Sequence, residues 1–382
     1  MTEIHFQPVF KKDMLRPEHS FRPLRVVILS KISRYQCVKE KYSINEEQLK
    51  KLLARKGSDY NGLLHRHKIH MQNLNEIRNF LKSQNVAYEC FTRDEFQKDA
   101  FDWADAFISA GGDGTFLHAA THLNYEEKPL IGINTDPERS EGYLCLKDPK
   151  VTLNKIFRGQ FRWSWRYRIR TTIVDSNQFT LDQSSHNNED WKPISLHDFA
   201  NSDKNKIKSC QIAPRLALNE IYFGESAPSS VSYYELSIDG SEGAKQKSSG
   251  VVVYTGTGST SWAYSINRIA TDEVESILRL ASQEKLQIDK SDIEKVTRNY
   301  NQRMKFLPNE KRLAFAVREP IENGIFSAKY KQGVCKSFTV RSRGFNAQLV
   351  VDGVHTYNIP DGNICKFSLH EDDKLLTIAI ND

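Results

Sequence analysis

The first 150 residues alternate between short apolar runs and longer segments with helical periodicity. The run at 24–31 (LRVVILSK) has the length and composition of a buried strand, whereas leucine and isoleucine recur every three or four positions in 45–56 and 69–83. Strands that alternate with helices usually form a parallel sheet with helices on its faces. We therefore predict an α/β domain over 22–150, preceded by an extension over 1–21. Its strands are expected at 24–31, 86–92, 105–110 and 129–134.

After about residue 150 the pattern changes to short strands separated by turn signals, which is typical of a sandwich-like domain. These strands are expected at 165–174, 216–223, 232–239, 250–255, 312–317 and 347–353. Two segments interrupt the pattern: 176–210 is almost wholly polar and is predicted to be a surface insertion, whereas 271–305 is predicted to be helical. The predicted fold is a Rossmann-like α/β domain with a parallel sheet, followed by a β-rich, β-sandwich-like domain over 151–382.

Composition fits a soluble globular protein of two domains, with 382 residues, 39% apolar and 27% charged. The longest apolar runs are far shorter than the roughly 18 residues of a membrane helix, so we expect no membrane partner. The formal net charge of +6 is ordinary for solubility, although it also suits an anionic ligand. No Lys/Arg run predicts a nucleic-acid partner. The six cysteines lack CxxC spacing, which favours neither zinc nor a disulfide framework.

A glycine-rich loop, GGDGT at 111–115, directly follows the strand expected at 105–110. Ligands of parallel sheets bind beyond the carboxyl ends of the strands, where glycines let backbone N–H groups approach phosphate oxygens. Asp113 is unusual there, because a carboxylate repels phosphates unless it binds a proton, a hydroxyl group or a metal. We therefore interpret it as a reactive group; the alternative is a tight turn in which Asp113 caps the next helix. No Walker motif occurs.

A second glycine loop, TGTGSTSW at 255–262, follows the strand at 250–255. Gly256 and Gly258 resemble the start of a dinucleotide fingerprint, but Ser261 replaces the third glycine, so a Rossmann dehydrogenase is poorly supported. The hydroxyls of this loop and its tryptophan suit a nucleotide with sugar hydroxyls and a flat ring. A polar turn is the alternative. The loop residues that we single out are Thr257, Gly258, Ser259, Thr260 and Trp262.

Two further features lie in strand-like segments of the second domain. Asn219 and Glu220 fall inside LALNEIYF, where an amide and a carboxylate are costly to bury without partners. A grip on a ribose diol is one use, and a solvated edge strand is the alternative. The arginines of FRWSWRYRIR (161–170) alternate with apolar residues and predict a solvated strand face, with a phosphate contact as the alternative. Asp352-Gly353 predicts a hairpin turn.

These motifs, in this order, resemble the NAD kinase family, which carries GGDGT, an Asn-Glu pair and a TxTGST loop. Here they stand as GGDGT (111–115), LNE (218–220) and TGTGSTSW (255–262). The resemblance is greatest to the mitochondrial-type members, through GINTDPERSEGYLCL (132–146) and QKSSGVVVYTGTGS (246–259). Departures from the wider family are Gly256 for proline, Trp262 for tyrosine, Ser249 for aspartate, and the segment NTDPERSEGYL.

The resemblance implies an enzyme that transfers the γ-phosphoryl group of ATP to the 2′-hydroxyl of the adenosine ribose of NAD, with Mg²⁺. Inorganic polyphosphate is a second donor to consider. Asp113 would be the catalytic proton acceptor. Gly111, Gly112, Gly114 and Thr115 would bind the donor phosphates, while Asn219, Glu220, Thr257, Gly258, Ser259, Thr260 and Trp262 would bind NAD.

The resemblance also implies a homodimer in mitochondria. The first residues mix acidic and basic side chains and do not match a transit peptide, so a cytoplasmic location is the alternative. A lipid kinase of the diacylglycerol or sphingosine type shares GGDGT and is the alternative function. It predicts an apolar acceptor pocket, unlike the polar residues singled out above.

Overall fold

A computed structural model describes residues 21–93, 95, 98–123, 128–174, 210–227, 229–281, 289–324 and 327–380. The N-terminal part contains a four-stranded parallel sheet in the order β2-β1-β3-β4. Its strands are β1 (Arg25–Ser30), β2 (Ala87–Thr92), β3 (Ala106–Gly111) and β4 (Leu130–Asn134). The helices described here are α1 (Arg34–Tyr42), α2 (Glu46–Arg55), α3 (Tyr60–Ser83), α4 (Lys98–Trp103), α5 (Asp113–His122) and α6 (Pro149–Phe157).

Local sequence signals set the helix starts. Asn45 and Gln48 form a capping box at α2, in which each side chain accepts from the other residue's backbone N–H. Asp59 caps α3, and Asp148 caps α6 just before a proline at the first helical position. The apolar faces of α3 and α6 then pack on one side of the sheet, in a core that includes Leu74, Ile77, Leu81, Leu153 and Ile156.

The C-terminal part is built from antiparallel strands. In chain order they are β5 (Arg162–Arg166), β6 (Ile169–Val174), β7 (Cys210–Ile212), β8 (Glu220–Glu225), β9 (Ser232–Ile238), β10 (Ala244–Ser248), β11 (Val251–Tyr254), β12 (Leu313–Val317), β13 (Gln332–Cys335), β14 (Ser337–Ser342), β15 (Ala347–Val351), β16 (His355–Asn358), β17 (Ile364–Leu369) and β18 (Leu375–Ala379). Two six-stranded sheets result, in the orders β10-β9-β14-β17-β6-β7 and β13-β12-β11-β8-β15-β16. Their inner faces share one apolar core, so the predicted fold class is confirmed.

Further helices follow β11. Helix α7 (Trp262–Asn267) precedes the segment 271–305 that the sequence predicted to be helical, and α8 (Thr271–Ala281) and α9 (Lys290–Gln302) lie within that segment. The predicted polar insertion, 176–210, lies outside the described residues except for Cys210, the first residue of β7. No helix among the described residues is both long and apolar enough to cross a membrane.

Strand β18 connects the two parts of the molecule. It pairs with β5 in a two-stranded antiparallel sheet, and its side chains enter the N-terminal cores. Ile378 packs with Phe161 and the residues of α3, whereas Leu375 packs with the residues of α5. The domain boundary near residue 150 stays a prediction. Strand β18 follows that boundary in the chain, yet its side chains complete the packing of the N-terminal sheet.

The arginine-rich segment 161–170 differs from its prediction. It is not one strand, because β5 ends at Arg166 and β6 begins at Ile169. Arg168, between them, is only 1% exposed and donates to the backbone carbonyls of Ala120, Leu123 and Asp373. Arg170 forms a two-bond pair with the Asp373 carboxylate, at 2.6 Å for each bond. The predicted solvated face is therefore wrong for Arg168 and Arg170, which satisfy buried carbonyls and a carboxylate, whereas Arg162 is exposed.

Candidate functional site

Asp113 is the first residue of α5, directly beyond the carboxyl end of β3. Gly112 is the N-cap and offers no side chain to the helix start. The Asp113 carboxylate instead turns to the segment after β4, where it accepts from the backbone N–H of Tyr143 at 3.1 Å and of Leu144 at 2.9 Å. It therefore does not cap its own helix as the alternative interpretation required. No side chain caps this helix start, where the Thr115 N–H donates to the Gly112 carbonyl oxygen at 2.9 Å, so the N–H groups before Thr115 can face an anion.

The second glycine loop packs tightly around Asn219. A Cβ on Gly258 would stand 2.2 Å from the Asn219 carbonyl oxygen, and one on Gly256 would stand 2.1 Å from the carbonyl oxygen of Leu307. Only glycine fits at these two close approaches. The loop is closed further by Asn219 Nδ2, which donates to Ser261 Oγ at 3.0 Å. The Asn-Glu pair and the glycine loop therefore form one unit.

Glu220 is the first residue of β8, as the predicted strand implied, Asn219 directly precedes it, and both are buried. Asp352 holds this backbone in place, since its carboxylate accepts from the N–H groups of Leu218 at 2.7 Å, Asn219 at 2.8 Å and Glu220 at 3.1 Å. Asp352 occupies a left-handed position with φ of 49° before Gly353, in the hairpin between β15 and β16. The predicted hairpin turn is confirmed, and its carboxylate reaches the Asn-Glu pair.

Burial raises the pKa of both acids, but hydrogen bonding opposes the shift in only one of them. Burial, together with the nearby Asp352 carboxylate, raises the pKa of Glu220 to about 8. Burial also raises the pKa of Asp352, but three backbone N–H donors oppose that shift. Of the two acids, Glu220 is therefore the one whose protonated form this environment favours more. Asn219 Oδ1 and Glu220 Oε2 are buried without a hydrogen-bond partner among the described residues, as expected for groups that bind a ligand.

Arg166, the last residue of β5, connects the two loops. Its Nη1 lies 3.3 Å from Thr257 Oγ1 in the second loop, and its charge interacts with that of Asp113 in the first. Burial lowers the pKa of Arg166 to about 10, and the Asp113 carboxylate opposes this shift. A cavity of about 200 Å³ opens beside it, with Tyr143 and Leu144 among its lining residues. Asp113 and Thr257 therefore belong to one site.

Trp262, at the start of α7, lies at the far end of the second loop. Its ring contacts Tyr222 edge-on at 5.9 Å, and the Arg318 guanidinium lies 5.4 Å from the ring centroid. Ser249, where the family commonly has aspartate, donates to the Glu319 carboxylate at 2.5 Å. This end of the site therefore combines a flat aromatic ring with charged groups.

The structure places the other predicted residues as follows. Gly111 ends β3, Gly114 is exposed with open space where a Cβ would stand, and Thr115 lies in the first turn of α5. Ser259 is buried and its hydroxyl donates to the Gly256 carbonyl oxygen at 2.6 Å, so this hydroxyl shapes the loop. Thr260 Oγ1 donates to the Thr257 carbonyl oxygen at 3.2 Å.

Sequence reasoning missed two residues that organise the site, Arg166 and Asp352. Arg166 was grouped with its neighbours as a strand face, although its place at the end of a strand was a usable signal. The DG dipeptide at 352–353 marked a turn correctly but gave no indication that its carboxylate bonds to a motif 132 to 134 residues away.

The GGDGT loop carries a carboxylate, and the second domain brings buried polar groups to the same site. Together they define the class of protein as a kinase with a GGDGT loop. A family model described as the ATP-NAD kinase N-terminal domain matches residues 26–160. "NAD kinase 2, mitochondrial" of Homo sapiens is 39% identical over 386 residues, covering 96% of this chain and 86% of that protein. The chain therefore belongs to the NAD kinase family.

Other relatives agree with this assignment. "NAD kinase 2, mitochondrial" of Rattus norvegicus is 40% identical, covering 94% of this chain and 88% of that protein. A crystal structure of an NAD kinase from Archaeoglobus fulgidus in complex with ATP aligns with a TM-score of 0.51 at 18% identity, covering 94% of this chain and 93% of that one. Yeast NADH kinase complexed with NADH aligns with a TM-score of 0.52 at 13% identity, covering 94% and 84%. The two structures show the shared fold, and the lipid kinase alternative has no support among these relatives.

Proposed function

We propose that this chain phosphorylates the 2′-hydroxyl of the adenosine ribose of NAD, with ATP as donor, and that Asp113 accepts the hydroxyl proton. Family membership supports the reaction. The observation that supports the role of Asp113 is its carboxylate, which two backbone N–H groups orient beside the open start of α5. Through Arg166, the same carboxylate lies in one site with the second loop.

Asp113 has two tasks in this proposal. Its oxygens use one N–H donor each, which leaves further lone pairs to accept from a sugar hydroxyl. An aspartate is a weak base for such a hydroxyl, but phosphoryl transfer passes through a loose transition state that requires little early proton removal. Asp113 therefore orients the hydroxyl first and takes its proton late. The N–H groups of the GGDGT loop that have no partner within the helix would stabilise the charge on the transferring group.

The acceptor side is supplied by the second domain. Asn219 Oδ1 and Glu220 Oε2, both buried, would bind the hydroxyls of the NAD ribose. Protonated Glu220 can donate to one hydroxyl oxygen and accept from another hydroxyl. Loop 257–262 would line the remainder of the dinucleotide, with Trp262 offering its ring to a flat base.

Mg²⁺ is expected with ATP. Among the described residues, no three His, Cys, Asp or Glu side chains lie close enough together to hold a metal ion. In this proposal Mg²⁺ would arrive on the ATP phosphates, because Mg²⁺ is usually held by substrate phosphates, water and one or two carboxylates. When bound it would neutralise phosphate charge. We also propose a mitochondrial location, from the names of the relatives, and a homodimer.

The test is NADP formation from NAD by the purified chain, with ATP and with inorganic polyphosphate as donors and with NADH as a second acceptor. Asp113→Asn should lower turnover by about 10²–10⁴-fold, as for loss of a general base, with folding unchanged. Asp148→Asn is the matched control, because Asp148 also lies at a helix start and its Oδ1 cap survives the change. Near-normal turnover in Asp113→Asn would remove this carboxylate from the mechanism.

A further inference from the structure

An ion pair spans the carboxyl end of β3, where the GGDGT loop begins. Strand β3 lies between β1 and β4 in the sheet. Lys31 follows β1 and Asp136 follows β4, and their side chains meet at 3.4 Å between Nζ and Oδ2. Lys31 also lies against the loop, since its backbone N–H donates to the Ala110 carbonyl oxygen and a Cβ on Gly111 would stand 3.1 Å from its own Cβ.

Further charges surround this ion pair. Arg66, from α3, reaches Asp136 at 3.1 Å and Glu138 at 2.9 Å. Burial lowers the pKa of Lys31, the Asp136 carboxylate opposes this shift, and the positive charges of Arg139 and Arg66 add to it. Asp136 has a side chain that is 10% exposed and faces both cations. Lys31 and Arg66 therefore share the Asp136 carboxylate beside the phosphate loop, and Arg139 adds a further positive charge near Lys31.

The geometry of phosphoryl transfer gives these cations a use. The attacking and leaving oxygens lie roughly in line through the transferring phosphorus. With the acceptor ribose on the second domain, the leaving phosphates of the donor belong on the side of the parallel sheet. Lys31 lies on that side, adjacent to Gly111, and Arg66 is linked to it through the shared Asp136 carboxylate.

We propose that Lys31 and Arg66 form the site for the donor's leaving phosphates, and that Asp136 is the counter-charge from which these phosphates take both cations. This inference rests on the proposed function and assigns the donor side of the same site. The ligand chemistry is a chain of linked phosphates, as in ATP or inorganic tripolyphosphate. Asp136 competes with that chain for the same two cations.

A structural role for the cluster predicts different results. If the ion pairs only fasten α3 to the sheet edge, every loss of charge destabilises the site in the same way. In a phosphate site the signs differ, since loss of a cation weakens donor binding and loss of the Asp136 charge strengthens it. Asp136→Asn is suitable because an amide keeps one oxygen at this position while it removes the negative charge.

The experiment measures KM for ATP and for NAD, together with inhibition by tripolyphosphate, in full-length variants. Lys31→Met and Arg66→Gln should each raise KM for ATP and the inhibition constant of tripolyphosphate by about 10- to 100-fold, as for loss of one charged hydrogen bond. KM for NAD should stay unchanged. Arg66→Lys should recover much of the loss, and Asp136→Asn should lower KM for ATP. Lys68→Gln is the matched control, because Lys68 is exposed on the same helix.

Two results would overturn the proposal. One is an unchanged KM for ATP in Arg66→Gln while the wild-type chain makes NADP, which would leave the proposed function intact. The other is a raised KM for ATP in Asp136→Asn. Thermal unfolding of each variant shows whether it is folded, and if Lys31→Met fails to fold, the pair Arg66→Gln and Arg66→Lys decides the question alone.

Discussion

Replacement of Asp352 by alanine should damage stability and NAD binding together. The Asp352 carboxylate is the acceptor for three consecutive N–H groups, with Oδ1 bonded to Asn219 and Glu220 and Oδ2 bonded to Leu218. Alanine would leave these three buried donors without a partner, at roughly 1–3 kcal/mol each. Loss of the Asp352 charge also lowers the pKa of Glu220, which offsets part of this cost. We expect a loss of about 3–5 kcal/mol in the free energy of unfolding.

Asp352→Asn provides a graded comparison. An amide keeps an oxygen for two of the three N–H groups but points an NH₂ group at the third, so we expect a loss of about 1–3 kcal/mol. Asp361→Ala is the matched control, because Asp361 also precedes a glycine in a turn but its side chain is 68% exposed. That change should stay within about 0.5 kcal/mol.

The assay is urea unfolding, extrapolated to water, together with KM for NAD and KM for ATP. If Asp352 holds the Asn-Glu pair, KM for NAD rises in Asp352→Asn while KM for ATP does not. A cost below about 1 kcal/mol for Asp352→Ala, or equal costs for Asp352→Ala and Asp361→Ala, would refute the reasoning.

Three further predictions concern other buried groups. The raised pKa of Glu220 makes the wild type lose stability as the pH rises from about 5 to about 8. The free energy of unfolding of Glu220→Gln should therefore increase relative to that of the wild type by about 1.4 kcal/mol per pH unit in that window. Urea unfolding of both proteins at pH 5.5 and 7.5 measures this difference. Arg168→Met should cost about 3–5 kcal/mol in the same assay, because buried carbonyls lose their donor. Thr257→Val should raise KM for NAD more than KM for ATP, because Arg166 loses its contact in the second loop.

Each of these has a contrary outcome. A pH-independent difference between Glu220→Gln and the wild type would mean that Glu220 is ionised in the folded chain. A cost within about 0.5 kcal/mol for Arg168→Met would mean that water replaces the guanidinium. Equal changes in both KM values for Thr257→Val would place this hydroxyl outside the acceptor side.

The sequence predicted those parts of the fold that local patterns determine. The strands expected at 24–31, 86–92, 105–110 and 129–134 are observed within one residue at each end. The apolar runs of β1, β3 and β4 are buried on both faces of the parallel sheet, and such runs leave a strong signal, whereas the edge strand β2 is partly exposed. The position of Asp113 followed from the same signal, because a strand that ends in glycine and starts a helix leaves little choice for the loop.

The missed contacts are long-range and carry no local signal. Residues 161–170 alternate as one strand would, yet the chain breaks there because Arg168 must reach carbonyls near the end of α5 and after β17. Asn219 and Glu220 were predicted within a strand, but their N–H groups bond to a distant hairpin instead of a neighbouring strand. Pattern alone does not indicate which partner satisfies a buried polar group.

Strand β18 has a consequence for biosynthesis. Leu375 and Ile378 fill the hydrophobic interior of the first domain, yet the ribosome makes them only after both antiparallel sheets. Until β18 has been synthesised, the apolar surface around Phe161 in the α/β domain is not covered by Ile378. The domain that carries GGDGT therefore completes its folding only after the C-terminal strand is made, although it precedes the β-rich domain in the chain.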